Sequence, residues 1–242
     1  MQHQFAAFID DLRATHGKNL AAVILYGSAA AGDFIPQQSD YNILIALQKI
    51  APIDLRNAHA SIREWHKLGH PVPVYFTVSE LQNAADVFPI EFHQMEAARK
   101  VLYGTDVLAN LKISDSYLRH QVEYELRSKL ILLRRQYIPA SESVAGLKSL
   151  MAESLSSFAA LFSAVLLLSG IRPPVKKHEI VALVAQTHGL DGVVFEKIFN
   201  IRERNFAEEL TDGSANRLFA DYMEQIERVI DAVDKVGRAV SS

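Results

Sequence analysis

The chain has 242 residues, of which 49% are apolar and 22% charged, with a formal net charge of −3. That length holds one large domain or two small ones with an ample core. The near-neutral balance excludes a strong general attraction to nucleic acid or anionic lipid, and the lack of cysteine excludes disulfides, thiolate metal sites and a cysteine nucleophile.

In chain order, Phe5, Phe8, Ile9 and Leu12 fall at i, i+3, i+4, i+7, which predicts an amphipathic helix over 3–16 ended by Gly17. Asp10, Asp11 and Arg13 interrupt this segment, so it lacks the apolar core of a secretory signal, and a cytoplasmic location is expected. Residues 20–26 are continuously apolar and stop at Gly27, the mark of a strand buried on both faces. Ser28 opens a short Ala-rich helix, 32–38 is a loop holding Pro36, and 41–47 is a second strand. A helix is expected over 51–68, closed by Gly69 and Pro71. The run 72–78 is β-branched and aromatic, a third strand whose Pro73 places its start at an edge. Ser79 is the expected cap of the helix that follows.

Character changes near residue 105. From Ser114 onward the pattern is helical, over 116–137, 142–169, 177–188, 193–201 and 214–236, with Gly170, Pro173, Pro174 and Gly189 as punctuation. The nearly uncharged run from Ser154 to Ile171 carries several serines and is short for a membrane span of ~20 apolar residues, so it reads as a buried bundle helix. The expected fold class is α+β: a small mixed β-sheet domain over 1–105, then an all-α helical bundle over 106–242.

The segment 21–47 joins an apolar strand, Gly27-Ser28, a polar loop, Ser39-Asp40 and a second apolar strand. This layout resembles the nucleotidyltransferase superfamily, of the DNA polymerase beta-like and aminoglycoside nucleotidyltransferase-like kinds, whose signature is Gly-Ser, a spacer, then Asp-x-Asp. The chemistry explains the pattern. In-line attack on an α-phosphate uses carboxylates to hold Mg²⁺ ions that clamp the attacking and leaving oxygens, and acids at alternate strand positions share one face. A Gly-Ser turn at a helix start presents N–H groups to phosphates, with glycine allowing close approach. The resemblance implies that Gly27, Ser28 and Ser39 bind a nucleoside triphosphate and that Asp40 is a catalytic Mg²⁺ ligand. The stretches VFPIEFHQMEAARKVLYG and LRHQVEYELRSKLILLRRQYI are similar, more loosely, to the C-terminal part of aminoglycoside-type members, in which an acidic residue completes the substrate site. Glu91 is the candidate here, as a catalytic base or replacement ligand.

The sequence departs from the signature at Asn42, which stands where the second aspartate is expected. An amide keeps the size and a carbonyl ligand but loses the charge. At 4 Å and an effective dielectric near 20, one charge pair is worth about 4 kcal/mol. The next strand, 72–77, has no carboxylate, and Glu80 lies just beyond it. Two functions follow: binding of a nucleoside triphosphate with transfer of a nucleotidyl group to a small-molecule or protein acceptor, or a catalytically lapsed binding or regulatory module of an antitoxin-like kind. An unrelated domain with a chance motif is the third reading.

Plainer roles stand beside each candidate. Ser28 could be an ordinary N-cap, Asp40 a loop cap, Asn42 an edge-strand polar residue and Glu91 a structural one. His66 and His70 sit at i, i+4 across helix breakers, a poor metal pair, and His93 reads as a surface residue. Glu123–Arg127 and Glu125–Lys129 read as a solvated salt-linked face, with Arg134 or Arg135 as an alternative phosphate contact. The basic group Arg172, Lys176, Lys177 and His178 reads mostly as a helix start. Membrane and nucleic acid are not expected partners, and self-association as a homodimer through the helical half is an expectation that no motif carries.

Overall fold

The computed structural model describes residues 2–32, 40–83, 85–203, 205 and 209–238. The chain divides into two units, Met1–Asp115 and Ser116–Ser242, and its fold class is α+β. The segment 105–115, where the sequence reading places the boundary, stays with the sheet. Leu108 is buried there, Val107, Leu111 and Ile113 pack beside it, and the Ser114 N–H donates to the Ala85 carbonyl at 3.3 Å.

In the first unit, α1 (Gln2–His16) precedes β1 (Leu20–Tyr26), the single turn α2 (Ser28–Ala31) and β2 (Asn42–Leu47). Then come α3 (Pro52–Asn57), α4 (His59–Lys67), β3 (Val74–Thr77), α5 (Val78–Asn83), α6 (Pro89–Ala97) and β4 (Arg99–Gly104). The sheet order is β3-β2-β1-β4. β1 runs antiparallel to β2 and β4, and β3 parallel to β2. Side chains alternate along a strand. Val23, Leu25, Ile43 and Ile45 therefore join Phe8, Leu12, Tyr41 and Trp65 on one face, while Ala22, Ile24, Leu44 and Ala46 join Leu81, Phe92 and Met95 on the other. Each large apolar side chain so buried contributes about 2 kcal/mol of transfer free energy. Trp65 anchors the first face: it stacks on Phe8 at 4.5 Å, and its indole N–H donates to the Pro71 carbonyl at 3.0 Å.

Both central strands form where the apolar runs predict them. β3 lies at the sheet edge, starting just after Pro73, which removes a ladder donor there. Three expectations are corrected. The helix expected over 51–68 is two helices meeting at Ala58. The cap after β3 is Thr77, not Ser79: the Glu80 N–H donates to Thr77 Oγ1 at 3.0 Å and the Thr77 N–H to Glu80 Oε2 at 2.7 Å, a reciprocal capping box. β4 was not expected at all. The loop residues 33–38 lie outside the described residues.

The second unit contains α7 (Leu118–Ala140), α8 (Val144–Leu168), α9 (Lys177–His188), α10 (Gly192–Arg202) and α11 (Asp212–Arg238). α8 packs against the other four. Ser143 caps it, its side chain accepting the Gly146 N–H at 3.0 Å. By length and hydropathy α8 could cross a membrane. Here Leu155, Phe158, Phe162, Val165 and their neighbours are buried among the other helices. Several of the charged groups singled out in the sequence are paired. Glu123 pairs with both Arg119 and Arg127 at 3.0 Å, Arg134 with Glu227 at 2.6 Å, and His178 with Glu196 at 3.3 Å. The Lys177 ammonium donates to Ser156 Oγ at 2.6 Å.

Candidate functional site

β1 ends at Tyr26, and Gly27 turns the chain into α2. Its φ of 77° and ψ of −152° lie in a region that is essentially glycine's alone. A Cβ there would meet Asn42 Nδ2 at 3.3 Å. The turn is pinned by the Gly27 N–H donating to the Ala98 carbonyl at 3.1 Å, just before β4. Gly27 itself is the N-cap of α2, with no side-chain cap bond. Ser28 is therefore the first helical residue rather than the cap, and its hydroxyl is not consumed by capping. The first N–H groups of a helix lack intrahelical partners, so this turn sets backbone donors and a hydroxyl at one end of the sheet.

Asn42 faces that turn because it opposes Tyr26 in the β1–β2 register. Period two places it on the face of Leu44 and Ala46, with its amide nitrogen toward Gly27. Asp40, two residues earlier, is exposed. Its charge reaches His70, in the segment that leads into parallel β3. Burial lowers the His70 pKa, and Asp40 partly offsets that. The His70 ring lies 4.7 Å from Tyr41 and 4.6 Å from Trp65.

Glu91 stands in the first turn of α6, which Pro89 opens and which Ile90, Phe92 and Met95 anchor in the core. Its charge reaches Tyr26: burial is the main cause that raises the Tyr26 pKa, and Glu91 adds to it. The fold thus brings Gly27, Ser28, Asn42 and Asp40 to one end of the sheet, with Glu91 linked to that end through Tyr26. Ser39 lies outside the described residues. Glu80 is committed to capping α5. His66 is not half of a metal pair, because its Nδ1 meets the His70 carbonyl at 2.9 Å. His93 is bound to Asp115 at 2.7 Å.

Among the described residues no group of three or more histidines and carboxylates is placed to hold a metal. The donor set does not match a two-ion clamp. Asp40 supplies one carboxylate at this end of the sheet, and Mg²⁺ commonly takes one or two carboxylates and completes its shell with phosphates and waters.

Tyr26 and Arg99 belong to this neighbourhood and were not singled out from the sequence, which weighed His70 only as a metal partner of His66. Arg99 opposes Tyr26 across β4. It donates from Nε to both Asp106 carboxylate oxygens at 3.0 and 3.1 Å, and from Nη1 to the Glu96 carbonyl at 3.0 Å. It fixes the start of β4, on which the Gly27 turn hangs.

No protein-family model and no curated protein matches the chain. Eleven chains of solved structure do. One is the spectinomycin adenyltransferase AAD(9) from Enterococcus faecialis, determined with ATP and spectinomycin. It is 14% identical, with a TM-score of 0.57 over 95% of this chain and 99% of that one. The likeness establishes a shared fold.

Proposed function

We propose that this protein is a divergent nucleotidyltransferase that binds a nucleoside triphosphate at the Gly27–Ser28 turn and passes its nucleotidyl group to a small-molecule acceptor. One observation carries the reading: the Gly27 turn, with its glycine-only backbone, lies against Asn42 and beside Asp40 at the same end of the sheet. The neighbour of like fold, solved with ATP and spectinomycin, supports this choice of nucleotide and acceptor class.

In this reading the N–H groups of the turn and the Ser28 hydroxyl hold the β- and γ-phosphates. Asp40 is the carboxylate for one Mg²⁺, which when bound neutralises phosphate charge. Asn42 was expected as a weakened metal position. Its Nδ2 lies on the Gly27 side, so in this reading it donates to a phosphate oxygen. Glu91 takes the proton of the acceptor hydroxyl as that oxygen bonds to the α-phosphorus and the bond to pyrophosphate breaks.

Calorimetry with Mg-ATP, Mg-GTP, Mg-CTP and Mg-UTP tests this directly, since no heat with any of the four overturns it. Asp40→Ala is expected to weaken binding at least tenfold, about 1.4 kcal/mol. A second reading, a lapsed binding or regulatory module, is favoured by Asn42 and by the capping role of Glu80. Binding without transfer of an α-labelled nucleotide to any acceptor in a hydroxyl-bearing panel that includes aminocyclitols selects it.

A further inference from the structure

We propose that the outer face of α7 is a docking surface for a second copy of this chain, in antiparallel pairing about a two-fold axis near Ser128. The face opposite carries the core residues Leu118, Val122, Leu126, Leu130 and Leu133. A helix serving one core needs one apolar stripe. α7 with its N-cap has two. Tyr117, Tyr124, Ile131 and Ile138 recur at intervals of seven and are 64%, 69%, 57% and 72% exposed. On a helix of 3.6 residues per turn, a strict seven-residue repeat drifts about 20° per heptad and winds as a left-handed seam, the path of a partner helix crossing near 20°.

The apolar area meets the minimum for a weak dimer. A tyrosine carries roughly 200 Å² and an isoleucine somewhat less, so these four side chains with half-exposed Leu132 expose on the order of 500 Å² per copy. Two copies offer about 1,000 Å² before any polar rim is counted, the lower limit for a specific interface.

Charge selects the direction. Arg135 is exposed between Ile131 and Ile138 on this face. Parallel pairing would set Arg135 against its own copy. Antiparallel pairing about Ser128 sets it between Tyr117 and Tyr124 of the second copy, where a guanidinium meets aromatic faces. It also places each tyrosine on an isoleucine, and it closes the pair by two-fold symmetry.

Light scattering on the full chain at about 100 µM is expected to give twice the 27.0 kDa monomer mass. Ile131→Asp should return 27.0 kDa with unchanged helical circular dichroism. Because the chain has no cysteine, single introduced thiols report geometry even if that variant fails to fold. Ser128→Cys should cross-link to its own copy under mild oxidant. Ile138→Cys should not, since its two copies would lie ~30 Å apart. A wild-type chain that stays monomeric overturns the proposal. So does self-cross-linking at position 138.

Discussion

Single residues set this site through backbone and burial as much as through charge. At Gly27 the positive φ and the contact with Asn42 act together. Gly27→Ala is expected to cost about 2 kcal/mol of stability, read as a lowered denaturant midpoint, and to weaken nucleotide binding with it. Asn42→Asp restores the missing charge. In the proposed reading it makes nucleotide binding strongly Mg²⁺-dependent where the wild type is weakly so, and calorimetry with and without Mg²⁺ separates the two. Burial lowers the pKa of His16, His70 and His188 below the ordinary 6.5. His16 Nδ1 is buried without a hydrogen-bond partner. Asp54 and Asp40 only partly offset the shifts of His16 and His70. The unfolded chain therefore binds protons that the folded one refuses, and stability falls as pH drops through 6.5. His16→Phe should flatten that acid limb in urea titrations between pH 7.5 and 5.5. Tyr75, pushed up to about 12 by burial, gives the opposite limb: stability falls as pH rises above 10. Of these residues, Gly27, Asp40 and Asn42 were legible because they lie within one short stretch. Tyr26 and His70 were not, because their relevance arises from register with β2 and from the approach of β3, which no local pattern encodes.

Elements that read clearly were those whose apolar period is uninterrupted: α1, β1, β2 and the long helices. β4 was missed because α6 ends at Ala97 and the strand begins at Arg99, with no turn residue to announce the change. What holds it is nonlocal, the Arg99 clamp on Asp106 and the pairing with β1. Gly104 shows how close that pairing is. Its φ is 77°, and a Cβ would stand 2.0 Å from the Ala21 carbonyl oxygen. Gly104→Ala is expected to cost about 3 kcal/mol, measured as a fall in denaturant midpoint. Thr77→Ala removes the cap of α5 and should cost about 1 kcal/mol, while Glu80→Gln keeps a capping acceptor and should leave nucleotide affinity unchanged. A fall in Mg-nucleotide affinity with Glu80→Gln would place Glu80 at the metal site.

For the whole molecule, each unit has its own core, and the helical one is organised around α8. The fragment 116–242 is expected to fold alone, with a helical spectrum and a cooperative thermal transition. The change from sheet to helix was visible in composition. The place of the division shows in the sequence only as the stretch 105–115, which has no regular period and is held to the sheet by burial of Leu108 and by the Ser114–Ala85 bond. The single tryptophan gives the molecule a further property. Trp65 is 2% exposed and packs against Tyr41 and His70, whose neighbour in the field is Asp40. Its fluorescence is thus a built-in reporter: protonation of His70 should quench the emission, and occupancy beside Asp40 should alter it without any label being attached.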